Sequence, residues 1–154
     1  MKLSKNLYLS EVIKSNTAIR LGINNEPTAE HLENLKEIAN NIFQPLRDYF
    51  DEPIGVSSGY RSIALNKAIG GSSKTSQHSK GEALDLDADI FGGIANSEIF
   101  DYIKYNLDFD QMIWEFGTDK EPNWVHVSYK KGKNRKQILK AVKENGKTKY
   151  YSYE

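Results

Sequence analysis

The sequence predicts an α+β fold in which helices pack on an antiparallel sheet, and three observations carry that prediction. Residues 83–90, 111–116 and 124–129 each alternate or run apolar and aromatic in the manner of strands. A long stretch after Thr28 places apolar residues at helical spacing instead. The polar connection Gly117 to Asn123, which contains Gly and Pro, joins the last two strand-like segments as a hairpin. Together these give helices on a sheet rather than a bundle or a sandwich.

Taken in chain order, Thr28 reads as the N-cap of a helix running to about Tyr49. Leu32, Leu35, Ile38, Ala39, Ile42, Phe43 and Leu46 form its buried stripe. Pro45 is expected to kink that helix or end it early. His31, beside Glu30 and Glu33, falls off the stripe and is expected to be exposed. Ser57 to Ser62 is a tight polar turn leading to a helix from Ser62 or Ile63 to Ile69, and another helix is expected near Ser97 to Tyr105.

Between those two helices, Ala83 to Ile90 alternates as a strand. Leu84, Leu86, Ala88 and Ile90 face the core, while Ala83, Asp85, Asp87 and Asp89 share the other face. Three acids on one face repel unless a cation or solvent receives them, so this face is expected to line a site, the bland alternative being a solvated face. A calcium loop beginning at Asp85 is discounted, because Ile90 stands where its sharp-turn Gly belongs and Asn96 where its bidentate Glu belongs. The chain closes with a terminal hairpin in which Ala141-Val142 precede an Asn145-Gly146 turn and Tyr150 to Tyr153 form an edge strand.

Composition limits the functions available. A length of 154 residues fits one domain, here spanning 1–154 with a lysine-rich segment at 130–154. Lys+Arg 21 against Asp+Glu 21 gives no overall bias toward nucleic acid, and a monomer is expected. The lysines from Lys130 to Lys149 read as a solvated face, or as a salt-sensitive attraction to anionic polymers. A nucleic-acid binder using this tail would need no metal. With no cysteine, disulfides and thiolate metal sites are excluded. Met1 to Lys5 does not lead into an apolar signal core, and no window approaches a membrane span, so neither export by a signal peptide nor a membrane partner is expected.

The residue types for a metal site are present. His78 sits in a Ser/Lys-rich loop, Gly81 lets the chain turn, Asp85 follows on its strand, and His126 lies in Trp124-Val125-His126. Two imidazoles and a carboxylate are the ligand set of a catalytic zinc site with an open fourth position, although another divalent ion could occupy it. If the hairpin turns near Lys120 and Glu121, Glu115 lies opposite His126, within reach of a zinc-bound water. Set in Ile113-Trp114-Glu115-Phe116, its carboxyl is expected to be desolvated and raised toward the range of a general base, the alternative being an exposed charge.

The pattern Ser76-x-His78-x-x-Gly81-x-Ala83-x-Asp85 followed by Trp124-x-His126 resembles the zinc D-Ala-D-Ala carboxypeptidase family of peptidoglycan peptidases, whose fold is shared with the hedgehog signalling domain. Ser57-Ser58-Gly59-Tyr60-Arg61-Ser62, Leu65-Asn66 and Gly70-Gly71 occur in the family's order, as do Asn16-Thr17-Ala18 and Gly22-Ile23, so the resemblance covers roughly residues 10 to 140. It implies that His78, Asp85 and His126 bind zinc, and that Arg61 grips a substrate carboxylate or polarises the scissile carbonyl. Ser76 has two readings, orienting His78 or substrate against a simple loop or capping serine; with Arg61 and Trp124 it completes the candidate substrate-binding set.

The chain departs from the family at Asn123, where relatives often place the catalytic acid, so Glu115 is the first candidate for general base and Glu121 the second. The expected reaction has Glu115 take a proton from a zinc-polarised water and return it to the leaving amine of a stem-peptide bond, by carboxypeptidase or endopeptidase cleavage. A wall enzyme without an export signal suits a phage lysin, held in the cytoplasm until release, or a virion-associated enzyme. The competing reading is a non-catalytic zinc-binding structural or cell-wall-binding module.

Overall fold

The computed structural model describes residues 1–70 and 76–153; Gly71 of the Gly70-Gly71 motif lies outside them. Elements follow in chain order as β1 (Lys2–Ser4), β2 (Leu7–Tyr8), α1 (Leu9–Ile13), α2 (Asn16–Leu21), α3 (Ala29–Ile38), α4 (Gln44–Phe50), β3 (Gly55–Ser58) and α5 (Ile63–Ala68). The second half holds β4 (Ala83–Asp87), α6 (Asn96–Asn106), β5 (Gln111–Glu115), β6 (Trp124–Ser128), β7 (Gln137–Glu144) and β8 (Lys147–Ser152). The fold is α+β, as expected.

Thr28 caps α3 by accepting from His31 N–H at 3.2 Å. The helical run does not break at Pro45. A π-turn over Ala39–Phe43 joins α3 to α4, so the chain takes on one extra residue per turn just before the proline that cannot donate a hydrogen bond. The stripe stays on one face through the turn: Leu35, Ile38, Ala39, Ile42, Phe43 and Leu46 are buried. They meet Leu84 and Leu86 of β4 and Val125 and Val127 of β6 in one core cluster, which also takes Ile99, Phe100 and Ile103 from α6. Each large side chain buried there contributes about 1.5–3 kcal/mol.

His31 is half-buried rather than exposed. Its Nδ1 lies 3.1 Å from the Tyr60 hydroxyl, because the turn after β3 folds over the start of α3.

The main sheet has the order β3-β4-β6-β5-β7-β8. It is mixed, not antiparallel throughout, because β7 pairs with β5 in parallel. Both edges of β6 are occupied by β4 and β5, so the next strand cannot pair with β6 and takes the open edge of β5. The connection 129–136 carries the chain back along the sheet, where Lys136 N–H donates to Phe109 and Gln137 N–H to Asp110, each at 3.0 Å. β7 therefore starts level with β5 and runs beside it. Asn145 and Gly146, at φ of 52° and 77°, make the expected tight turn into β8.

The strand expected at 83–90 ends at Asp87, and Ala88–Ile90 forms a 3₁₀ turn. Asp87 supplies the reason: its Oδ1 accepts from Asp89 N–H at 3.1 Å and from Asn96 Nδ2 at 3.1 Å, turning the chain toward α6. Asp89 is consequently exposed, and Asp85 alone of the three acids faces the site.

Candidate metal centre and cleft

Asp85 and His126 are direct cross-strand partners on β4 and β6, with their side chains on the face away from the core. Such partners bring side chains to about 5 Å of one another, and here Asp85 Oδ1 lies 3.0 Å from His126 Nδ1. His78 arrives from a 3₁₀ turn over Gln77–Lys80, placing Nε2 at 3.3 Å from the same oxygen. Gly81 makes that approach possible: it stands at φ 75°, and a Cβ there would lie 2.4 Å from the carbonyl oxygen of His31. The three ligand atoms fall within 4.8 Å of one another.

His78 Nδ1 donates to the Gly59 carbonyl at 2.7 Å. A carbonyl only accepts, so Nδ1 carries the proton and Nε2 presents its lone pair to Asp85. Burial opposes ionisation of Asp85, but the two imidazoles hold its carboxyl well below the usual carboxylate range. Three oxygen and nitrogen donors that converge on one point, without sulfur, suit a small divalent cation with a position left open.

Glu115 lies on the same side of the sheet, although not in the expected pairing. Its direct partner is Trp124, and Ile113 faces His126. The midpoint of the turn falls between Asp119 and Lys120, one residue earlier than expected, which moves the pairing by two residues. A slip of two preserves the face. Glu115 is buried, and burial, helped by the charge of Asp85 against the opposing effect of His126, pushes its carboxyl up to about 7.

Glu121 is placed elsewhere. Its Oε1 accepts from Ser97 N–H at 3.1 Å, where it satisfies a first-turn donor of α6. Asn123 N–H donates to the Glu115 carbonyl at 2.8 Å, which fixes the end of β5.

Arg61 reaches the cleft from a turn held at several points. Tyr60 N–H donates to Val12 and Arg61 N–H to His78, while the Asn25 side chain spans the Tyr60 carbonyl and Ser62 N–H. Ser62 then caps α5 by accepting from Leu65 N–H. Burial lowers the Arg61 pKa against the opposing pull of Asp85, and its Nε is buried without a partner among the described residues. A guanidinium N–H in that state is poised for an anion. Ser76 lines the cleft and makes no side-chain capping bond, so its capping reading finds no support. Trp124 lines it too, with its ring 5.5 Å from that of Phe116.

The cleft encloses about 1030 Å³, at the upper end of the usual range for ligand sites. Sequence reasoning missed two of its parts. Asp110, fully buried, accepts from Gln77 Nε2 and from Nε and Nη2 of Arg135, each at 2.9 Å, and so ties the His78 turn to the loop before β7. Lys143, Thr148 and Tyr150 of the last hairpin form one wall. Strand alternation after Asn145-Gly146 could have grouped the hairpin residues, but not their position beside Glu115.

No significant match is found among curated proteins. Residues 5–128, from the first hairpin through the last residue of β6, match the sequence profile described as Peptidase M15. The match takes in the converging histidines and aspartate as well as Glu115 and Arg61. The chain belongs to the peptidase M15 family, the metallopeptidases of zinc D-Ala-D-Ala carboxypeptidase type.

Proposed function

We propose that this protein is a zinc-dependent peptidase that hydrolyses peptide bonds in the stem peptide of peptidoglycan. The observation that carries the reading is the convergence of His78, Asp85 and His126 beside a buried Glu115 that titrates near neutrality. Zinc would be held by His78 Nε2, an Asp85 oxygen and His126 Nδ1. When bound it supplies Lewis acidity toward water and a carbonyl oxygen.

The remaining work falls to side chains of the chain itself. Glu115 takes a proton from the attacking water and returns it to the leaving amine, a cycle that suits a carboxyl with pKa about 7. Its desolvation comes from its place at the end of β5, next to Trp124. Arg61 binds the substrate carboxylate or the developing oxyanion, its Nε having no partner among the described residues. Ser76 and Trp124 border the same space and position the peptide. The His78–Gly59 bond holds the imidazole in its productive tautomer throughout.

A D-amino acid at the scissile bond, action on the cell wall after release from the cytoplasm or from a phage particle, and a monomeric state complete the proposal. The test is release of new amino groups and free D-Ala from purified peptidoglycan by metal-free, zinc-restored and Glu115→Gln proteins. Zinc-restored hydrolysis that the substitution abolishes supports the reading, and the D-Ala signal separates carboxypeptidase from endopeptidase action. A zinc-loaded wild type that never cleaves the wall refutes it, in favour of a zinc-binding structural or wall-binding module.

A further inference from the structure

The cleft contains a cationic group that the chemistry above does not use. On β7, Leu139, Ala141 and Lys143 share the face of Glu115, because Glu115 pairs with Ala141. Across the last hairpin Ala141 pairs with Tyr150 and Lys143 with Thr148, so these side chains join the same face. Ala141 is small, which leaves room for the larger neighbours to lean over it.

Lys143 is held in place without being neutralised. Its Nζ donates to Thr148 Oγ1 at 3.2 Å and lies 5.4 Å from the centroid of the Phe116 ring. No carboxylate pairs with it among the described residues, whereas Lys140, pointing to the other face, is paired with Asp119. Phe116 reaches this position through an unusual backbone. Strict alternation would send it to the face opposite Glu115, but φ of 56° breaks the alternation and brings the ring against Trp124 in the cleft. A non-glycine residue there stores about 1 kcal/mol or more of strain. That strain sets two consecutive side chains, Glu115 and Phe116, into one cavity.

The order of strands gives the cation its place. Arg61 follows β3, the metal ligands sit on or beside β4 and β6, Glu115 is on β5, and Lys143 is on β7. Among the cations of the cleft, which also include Lys80, Lys130 and Arg135, Arg61 and Lys143 therefore flank the centre on opposite sides. The Arg61 guanidinium reaches in from beyond β3 to interact with Asp85 on β4, and three strand spacings separate β4 from β7, roughly 14 Å, which an extended peptide covers in about four residues. Tyr150 borders the same wall, and burial and the charges of Glu115 and Asp85 push its phenol up, so it stays a hydrogen-bond donor.

We infer that Lys143, supported by Thr148 and Phe116, is a specificity-determining residue that receives a second carboxylate of an acidic peptide, about three to four residues from the carboxylate held at Arg61. This inference rests on the peptidase reading for its substrate. Lys143 and Thr148 lie beyond 5–128, the part of the chain that matches the family.

The test uses a synthetic stem pentapeptide whose glutamyl α-carboxyl is free or amidated, titrated calorimetrically into zinc-loaded full-length Glu115→Gln protein. Lys143→Met on that background should weaken binding of the free acid roughly three- to tenfold and leave the amide unchanged. Lys149→Met, on the opposite face of the hairpin, should change neither. Equal effects on acid and amide, no effect on either, or no binding of the acid by the parent protein overturns the inference. Hydrolysis of both peptides by the wild type, followed in parallel, reports on the peptidase reading alone. Cleavage with no acid-specific effect of Lys143→Met removes the subsite and keeps the enzyme, whereas acid-selective binding without cleavage does the reverse.

Discussion

The Gly59 carbonyl and the His78 Nδ1–H meet at 2.7 Å, so the turn after β3 decides which nitrogen of a candidate ligand faces Asp85. That turn has no room to move. A Cβ on Gly59 would stand 2.5 Å from the Val12 carbonyl oxygen and 2.8 Å from Val12 Cβ. Gly59→Ala should therefore displace the carbonyl and lower zinc affinity about 10- to 100-fold. Competition with a chromophoric chelator measures this, and unchanged affinity in a folded variant would refute the orienting role.

Metal should stabilise the fold as well as activate it. Binding to the native state alone adds about 4 kcal/mol at free zinc a thousandfold above Kd. The melting temperature should rise by several degrees on adding zinc and fall back with chelator. Asp85→Ala or His126→Ala should remove that response, and a variant that retains it would mean the metal sits elsewhere.

Glu115 links activity and stability through pH. Its folded pKa of about 7 lies above the ordinary value of 4.5, so in the metal-free protein the native state holds a proton that the unfolded chain has lost between those values. Stability from this group is thus full below about 4.5, declines as pH rises through 7, and leaves a deficit of up to ~3 kcal/mol above it. Glu115→Gln should be more stable than the wild type at pH 8, nearly equal at pH 4, and inactive at both. Catalysis runs the opposite way, because the base must be ionised: wild-type kcat/KM should climb with pH, with its midpoint below about 7 because the charge of bound zinc favours the carboxylate. Denaturation curves whose difference between the two proteins does not change from pH 4 to pH 8 would show that the carboxyl is not desolvated in solution.

Asp110 behaves in the opposite sense. Burial opposes its ionisation, but Arg135 and Gln77 outweigh it and hold its carboxyl below the usual range. Its contribution is present above the unfolded pKa and lost as pH falls through the folded value. Arg135 is 57% exposed, so water replaces part of what it provides, and Arg135→Ala should cost about 1–3 kcal/mol at pH 7. The acid-unfolding midpoint should move upward. Because Gln77 adjoins His78, zinc affinity should fall too; a variant with wild-type acid stability would show the cluster to be dispensable.

Much of this was legible in the sequence because it depends on local periodicity. The stripe from Leu32 to Leu46, the Thr28 cap, the hairpin around 117–123 and the Asn145-Gly146 turn all follow from spacing and turn chemistry. Convergence of His78, Asp85 and His126 was readable from residue types and from the resemblance they carry. What the sequence concealed is non-local. The parallel β5–β7 pairing depends on which sheet edge is free, and the end of β4 depends on an Asp87–Asn96 bond made across a turn. Glu121 ranked second to Glu115 from its place in the loop, but its bond to the first turn of α6 could not be seen without the fold. The tolerance of the helical run for Pro45 required a π-turn that no periodicity announces.

The last hairpin leaves β8 as the open margin of the sheet. An unpaired margin carrying Tyr150 and Tyr151 invites another chain to add a strand. Lys147 and Lys149 occupy alternate positions along that margin, and a second copy approaching edge to edge would bring like charges into register. Like charges on that edge repel an incoming copy, a repulsion that high salt or acylation of the lysine amines would weaken.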